Sequence, residues 1–140
     1  MSKVFISHAS NDREVATKLA DALEKRQVDC WIAPRDVRPG REYGEEIIHA
    51  IEECDAMVLV LSEHANESKF VKREVERAVS RGKAVFPVRI REVQPSASLE
   101  LFIGSTHWID AWKPPIEQYL DKLVNAINSV GQSGASSHSM

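Results

Sequence analysis

The six residues from 56 to 61, Ala-Met-Val-Leu-Val-Leu, are apolar at every position. A strand with one solvated face alternates apolar and polar side chains, whereas a strand covered on both faces is apolar throughout. This segment therefore predicts a central strand of a parallel sheet, with helices packed on both sides.

Four further strand-like segments, at 4–7, 29–32, 84–89 and 107–109, alternate with amphipathic helical patterns. Helices are predicted from Asn11, which forms a capping-box-like pair with Glu14, from Glu45, and from Pro114. Another is predicted from 68 to 81. This alternation predicts an α/β, flavodoxin-like three-layer fold: a five-stranded parallel sheet of order 2-1-3-4-5 flanked by helices.

The chain of 140 residues fits one domain, which we predict over 1–130. The Gly/Ser-rich segment 131–140 is predicted to be a disordered tail, a linker or a tag remnant. A net charge of −3 gives no reason to expect nucleic-acid binding. Cys30 and Cys54 lack metal-ligand spacing and indicate buried thiols in a reducing compartment. No signal peptide and no membrane-spanning run is visible, so a cytoplasmic location without membrane contact is expected.

In sheets of this order, ligands bind outside the carboxyl ends of strands 1 and 3. Here that crevice is predicted to be lined by residues 7–10, which read Ser-His-Ala-Ser, and by the loop 62–68. The helix predicted from 68 to 81 rises from this loop.

Glu74 lies inside the apolar stripe of that helix, between Phe70 and Ala78, when the residues are plotted at about 100° each. A charge placed toward a core costs several kcal/mol unless it is paired or neutralised, so Glu74 is a candidate acid, base or electrostatic group. The alternative is a carboxylate at the edge of the stripe that reaches solvent or pairs with Arg77 or Arg81.

Several chemistries do not suit this crevice. A phospho-receiver needs an acidic pair after strand 1 and an aspartate after strand 3, and neither is present. No glycine-rich turn follows strand 1, which argues against a flavin or dinucleotide cradle. The five histidines show no metal-ligand spacing, so no metal site is expected. A nucleophilic site could be formed by Ser62, Ser68 and His64, but this signal is weak because serines between a strand and a helix usually cap the helix.

Four segments resemble the TIR (Toll/interleukin-1 receptor) domain family. Residues 4–8, Val-Phe-Ile-Ser-His, resemble its opening box, and residues 36–41 resemble the tip of its BB loop. Residues 70–74 resemble the aromatic-x-x-x-Glu element of its NAD-cleaving members, and residues 85–88 its fourth strand. The resemblance covers about 2–130 and is nearest to bacterial TIR domains that cleave NAD⁺.

The resemblance implies an NAD⁺ glycohydrolase or cyclase that releases nicotinamide and forms ADP-ribose or a cyclic ADP-ribose. The family's catalytic glutamate falls on Glu74, and its nucleotide contacts fall on Ala9, Ser10 and Arg38. Phe70 stands where the family has tryptophan, and retains an aromatic ring for stacking. His8 is predicted to line the pocket. NAD⁺ would be the substrate, so no cofactor is expected.

The chemistry of NAD⁺ agrees with a single carboxylate. Nicotinamide leaves as a neutral ring and needs no protonation, while the ribose passes through an oxocarbenium-like transition state. One carboxylate can stabilise that cation, whereas a sugar glycosidase would need a second acid. Another N-glycoside, such as a nucleoside, shares this logic and remains an alternative substrate.

A non-catalytic adaptor that makes contacts between TIR domains is the alternative function. The loop from Asp36 to Arg41, with Pro39 and Gly40 at its apex, is a plausible surface for self-association or for binding other TIR domains. We expect the enzyme to be active as an assembly, because the sequence shows neither a lid nor a second catalytic group. Bacterial immunity and virulence both suit such a signalling enzyme.

Overall fold

The computed structural model describes residues 2–104, 108–111 and 117–138. Five strands form one sheet: β1 (Lys3–Ser7), β2 (Asp29–Ile32), β3 (Ala56–Leu61), β4 (Ala84–Arg89) and β5 (Ile109–Asp110). Six helices connect or follow them: α1 (Arg13–Glu24), α2 (Tyr43–Glu53), α3 (Glu63–Glu67), α4 (Lys69–Ser80), α5 (Ala97–Ile103) and α6 (Glu117–His138).

The sheet is parallel throughout, and its order is β2-β1-β3-β4-β5. This confirms the predicted order and the flavodoxin-like α/β class. Ser7, the last residue of β1, pairs with Leu59 of β3. The order reverses between these two strands, so the carboxyl ends of β1 and β3 form the crevice where such sheets bind ligands.

Helices cover both faces of the sheet, as the apolar segment 56–61 predicts. All six residues of β3 are buried, and successive side chains pack into opposite apolar clusters. One cluster contains Val58 and the buried stripes of α1 and α6. The other contains Leu59 and buried residues of α2, α4 and α5.

The start of α1 differs from the prediction. A 3₁₀ turn occupies Ser10–Asp12, and α1 begins at Arg13 with Asp12 rather than Asn11 at the N-cap position. The Asp12 side chain makes no cap hydrogen bond, because its carboxylate turns inward and accepts a hydrogen bond from the Ser62 hydroxyl. The predicted capping box is therefore wrong.

The loop predicted over 62–68 contains the short helix α3. The Ser62 hydroxyl caps it by accepting a hydrogen bond from the Ala65 N–H at 3.1 Å. The helix α5 was not predicted either. The strand β5 is Ile109–Asp110, so the predicted residue Trp108 precedes it. The predicted residue His107 lies outside the described part of the chain, as does the predicted helix start at Pro114.

The last helix extends through Gly131 to His138, where the sequence predicts a disordered tail. Once a helix is nucleated, each further residue adds one backbone hydrogen bond, so α6 can continue into a Gly/Ser-rich segment. Within the described residues, no helix has both the length and the hydropathy needed to cross a bilayer.

Candidate functional site

Glu74 faces the carboxyl end of β1. Its helix α4 begins where Ser68 accepts a hydrogen bond from the Val71 N–H at 3.2 Å, and Val71 and Val75 are fully buried. This packing turns the half-buried Glu74 side chain inward, where its Oε1 accepts a hydrogen bond from the Ser7 hydroxyl at 2.8 Å. Ser7 itself is only 1% exposed, so the bond lies at the base of the crevice.

The alternative ion pairs for Glu74 are not formed. Arg77 and Arg81 instead contact Glu52 of α2, with nitrogen–oxygen distances of 2.7 and 3.3 Å. Burial raises the pKa of Glu74 from 4.5 to about 7, and the hydrogen bond from Ser7 opposes that rise. Near neutral pH, the group therefore exchanges between its protonated and ionised forms.

A cavity of about 250 Å³ opens above the Glu74 carboxylate. Its walls come from the end of β1, the start of α1, the segment after β2, the start of α2 and the start of α4. They are lined by Phe5, Ile6, His8, Ser10, Arg13, Ala33, Pro34, Tyr43, Ile47, Ser68, Phe70 and Glu74.

A second cavity, also of about 250 Å³, adjoins the first. The two share Ser10 and Ser68 as lining residues. The remaining lining residues of the second cavity are Ala9, Asn11, His64 and Glu67. Together, the cavities offer room for a ligand longer than a single sugar with its base.

His8 lines the first cavity, but its ring nitrogens face the protein. Nδ1 lies 2.8 Å from the Ala9 carbonyl oxygen, and Nε2 lies 3.0 Å from the Ala33 carbonyl oxygen. These contacts tie the end of β1 to the wall of the cavity formed after β2. The side chain is placed to hold the pocket in shape.

Ala9, Ser10 and Phe70 lie around the openings. Ala9 is 5% exposed and lines the second cavity, whereas the exposed Ser10 lines both. Phe70 is 73% exposed on the first turn of α4 and lines the first cavity. The structure thus places all three residues in the cavity linings, and their contacts to a bound molecule stay a prediction.

Arg38 is the one predicted site residue that the structure keeps out of both cavities. Its backbone N–H, Nε and Nη2 all donate to the Glu46 carboxylate of α2, at 3.1, 2.7 and 2.8 Å. The hydrogen bonds from Arg38 lower the pKa of Glu46 to about 2. Arg38 therefore fixes the loop to α2 in this structure.

The root of the same loop is fixed by Arg35. Its Nη1 and Nη2 donate to both carboxylate oxygens of Glu24, at 3.0 and 2.8 Å, and Nη2 also donates to Asp36 at 2.9 Å. Asp36 in turn accepts a hydrogen bond from the Ile32 N–H at 2.9 Å.

Among the lining residues that were not predicted as site residues are Arg13 and Tyr43. Arg13 occupies the first position of α1, where the positive end of the helix favours acidic side chains, and this mismatch is the signal that could have identified it. Ser62 is engaged by Asp12 and by the cap of α3, so the Ser62–His64 nucleophile set is not assembled. Among the described residues, no group of three His, Cys, Asp or Glu side chains is placed to hold a metal ion.

The site is therefore a ligand crevice at the carboxyl ends of β1 and β3 of a flavodoxin-like sheet, with a half-buried carboxylate at its base. A family model described as "TIR domain" matches residues 4–124, so this chain belongs to the TIR domain family. No curated protein matches it in sequence.

Solved structures with similar folds include the TIR domain of the Toll-related receptor TRR-2 from Hydra magnipapillata, at 22% identity and a TM-score of 0.76. That alignment covers 89% of this chain and 97% of the receptor domain. The TIR domains of the activated Roq1 resistosome, which recognises the pathogen effector XopQ, align over 91% of this chain and 99% of theirs, at 15% identity and a TM-score of 0.73.

A CMP N-glycosidase, BcmB, from Clostridium botulinum also shares the fold. It aligns over 87% of this chain and 98% of its own, at 18% identity and a TM-score of 0.61. At these identities, the similarities show the fold alone.

Proposed function

We propose that this TIR domain cleaves the nicotinamide–ribose bond of NAD⁺, as a glycohydrolase or a cyclase. The observation that supports this most strongly is the Glu74 carboxylate, which is turned inward at the base of a cavity at the ligand-binding edge of the sheet. The neighbouring N-glycosidase fold shows that such a sheet can support cleavage of N-glycosidic bonds.

In the proposed reaction, the bond between the ribose anomeric carbon and the nicotinamide nitrogen breaks, and its electron pair stays on nicotinamide. Positive charge develops on the ribose, and ionised Glu74 stabilises it in a partly water-excluded site. Water then adds to the anomeric carbon and releases a proton, which gives ADP-ribose. In a cyclase, a nucleophilic atom within the same ADP-ribose adds instead.

The remaining predicted residues surround this step. Ser10 lines both cavities, so it and Ala9 would contact the nucleotide, while Phe70 at the opening would stack on a flat ring. His8 would hold the wall opposite the ligand. Arg38 would have to leave Glu46 before it could reach a substrate.

The test is to incubate the protein with NAD⁺ and measure free nicotinamide, comparing wild type with Glu74→Gln. Loss of a group that stabilises transition-state charge commonly costs about 100-fold or more in rate. The matched control is Glu76→Gln, which makes the same change on the exposed face of α4 and should keep full activity. Nicotinamide release by Glu74→Gln at the wild-type rate would falsify the catalytic role.

The second candidate function is an interaction module that assembles with other TIR domains. The favouring observation is the pair of exposed aromatic side chains that line the first cavity: Phe70 is 73% exposed and Tyr43 51%. Exposed aromatic side chains of this kind commonly mark protein contacts. Assembly without any NAD⁺ cleavage, across a wide range of protein concentration, would favour this role.

A further inference from the structure

The cavity above Glu74 has opposite charges in its lining. Glu74 provides the acidic group, and Arg13 is the sole lysine or arginine among the described lining residues. A ligand that fits this arrangement needs an electron-poor centre near Glu74 and an anionic group near Arg13. An N-glycoside that carries a phosphate meets both requirements.

Arg13 is available for an anion. The structure gives it no ion pair with any side chain in the described ranges, and its side chain is exposed to solvent. Its neighbours on the chain are engaged elsewhere: Asp12 accepts from Ser62, and the Glu14 carboxylate lies 3.4 Å from the Lys18 ammonium. No existing contact has to break when Arg13 binds a ligand.

Two arginines of the segment after β2 are in a different situation. Arg35 is committed to Glu24 and Asp36, and Arg38 is committed to Glu46 by three hydrogen bonds. Moving Arg38 into the cavity would leave the Glu46 carboxylate, whose side chain is 8% exposed, without its partner.

The position of Arg13 is electrostatically unfavourable for its own helix. It is the first residue of α1, where the aligned backbone dipoles repel a cation. An acidic or neutral side chain there would favour the helix. A cation kept at the edge of a cavity, against the local preference of its helix, suggests a role in binding.

We propose that Arg13 is the specificity-determining residue of this site and selects N-glycosides whose ribose carries a phosphate or pyrophosphate over unphosphorylated nucleosides. This inference rests on the proposed NAD⁺ function and adds the residue that recognises the phosphates of the substrate. The planar guanidinium can donate two parallel hydrogen bonds to phosphate oxygens, a geometry that a lysine cannot reproduce.

The experiment compares NAD⁺ with nicotinamide riboside, which has the same scissile bond and no phosphate. Wild type, Arg13→Gln, Arg13→Lys and the control Arg73→Gln are measured with both substrates. Arg73 lies on the exposed face of α4, outside both cavity linings, and the control removes the same charge.

We expect Arg13→Gln to raise KM for NAD⁺ by about tenfold or more with kcat nearly unchanged, because a hydrogen bond between charged groups is lost from the bound state. The value for Arg13→Lys should be intermediate. Constants for nicotinamide riboside should stay the same in all variants. An unchanged KM for NAD⁺, or an equal loss with both substrates, would overturn the assignment.

Calorimetric titration with ADP-ribose and with adenosine separates this inference from the proposed function. If the protein cleaves no NAD⁺ but binds ADP-ribose more weakly in Arg13→Gln, the proposed reaction fails and the phosphate role of Arg13 stands. If cleavage depends on Glu74 but the affinity for ADP-ribose is unchanged in Arg13→Gln, the proposed reaction stands and the Arg13 assignment fails.

Discussion

The Ser7 hydroxyl donates to Glu74 Oε1 at 2.8 Å and thereby links the last residue of β1 to the middle of α4. Burial raises the pKa of Glu74, and this bond acts in the opposite direction because it favours the ionised form. Burial therefore has the larger effect on the pKa of Glu74, and the bond from Ser7 limits the rise.

The first prediction concerns the pH dependence of NAD⁺ cleavage. Ionised Glu74 stabilises the ribose cation, so kcat/KM should rise with pH, reach half its limit at about pH 7 and stay level above it. The measurement is kcat/KM from initial rates of nicotinamide release over a pH series in buffers of constant ionic strength. A profile that is flat through neutrality would contradict the role of Glu74.

Replacing Ser7 with alanine should move the midpoint of this rise in kcat/KM to higher pH. The substitution removes the hydrogen bond that favours the carboxylate, so the pKa of Glu74 should increase. Activity should fall most on the acidic side of neutrality and least at alkaline pH. Ser10→Ala serves as the control, because Ser10 lines the same cavity and should leave the midpoint in place. An unshifted midpoint in Ser7→Ala would show that the bond does not control the titration.

Glu74→Gln should stabilise the fold at alkaline pH. The folded-state pKa of about 7 lies above the ordinary value of 4.5, so the native state holds the proton more tightly than the unfolded chain. Ionisation of Glu74 therefore lowers the free energy of unfolding. This loss is absent below about pH 4.5, grows as pH rises, and is complete above about pH 7. Since each pKa unit corresponds to 1.36 kcal/mol, the gain at alkaline pH should be about 1–3 kcal/mol.

Urea unfolding of wild type, Glu74→Gln and Glu76→Gln at acidic and alkaline pH measures this gain. The first variant should be more stable than wild type only at alkaline pH, and the second should match wild type at both. Equal stability of Glu74→Gln and wild type at alkaline pH would mean that Glu74 is not destabilised by burial.

The Arg38–Glu46 pair predicts an asymmetric mutational response. Arg38→Ala leaves a nearly buried carboxylate without its partner, whereas Glu46→Ala leaves an exposed guanidinium that water can solvate. Arg38→Ala should therefore lower the free energy of unfolding more, and the double variant should show coupling. A rise in KM for NAD⁺ that occurs in Arg38→Ala and not in Glu46→Ala would show that Arg38 binds substrate directly.

Specific activity should rise with protein concentration if a neighbouring chain completes the pocket through the loop from Asp36 to Arg41. Arg41→Asp, at the exposed end of this loop, should raise the concentration needed for half-maximal activity, whereas Arg91→Asp on the exposed segment after β4 should not. Initial rates across a dilution series, with light scattering for mass, provide the measurement. Full specific activity in a strictly monomeric sample would exclude the assembly requirement.

The sheet could be predicted because its signals are local. The apolar run of β3 is continuous, the stripes of α1 and α4 repeat with the helical period, and each signal covers enough residues to be recognised. The helices α3 and α5 contain only five and seven residues, too few to show a helical period. They were consequently missed.

The site was only partly predictable for a related reason. The inward position of Glu74 follows from the helical stripe, but its partner Ser7 is 67 residues away, and only the sheet order brings them together. In the sequence, nothing distinguishes Arg13 from Arg38 as a cation that is free to bind a ligand. Arg38 forms an ion pair because α2 places Glu46 beside the loop from Asp36 to Arg41. No local sequence pattern contains this tertiary relationship.

The two cavities lie at the edge of the sheet, while the apolar clusters that hold the fold together lie beneath the strands and helices. Surface residues such as Ser10, Tyr43 and Phe70 can therefore diverge in evolution with little effect on folding. One scaffold can carry different ligand sites at its rim, and this architecture is shared by a receptor domain from Hydra magnipapillata and a CMP N-glycosidase from Clostridium botulinum.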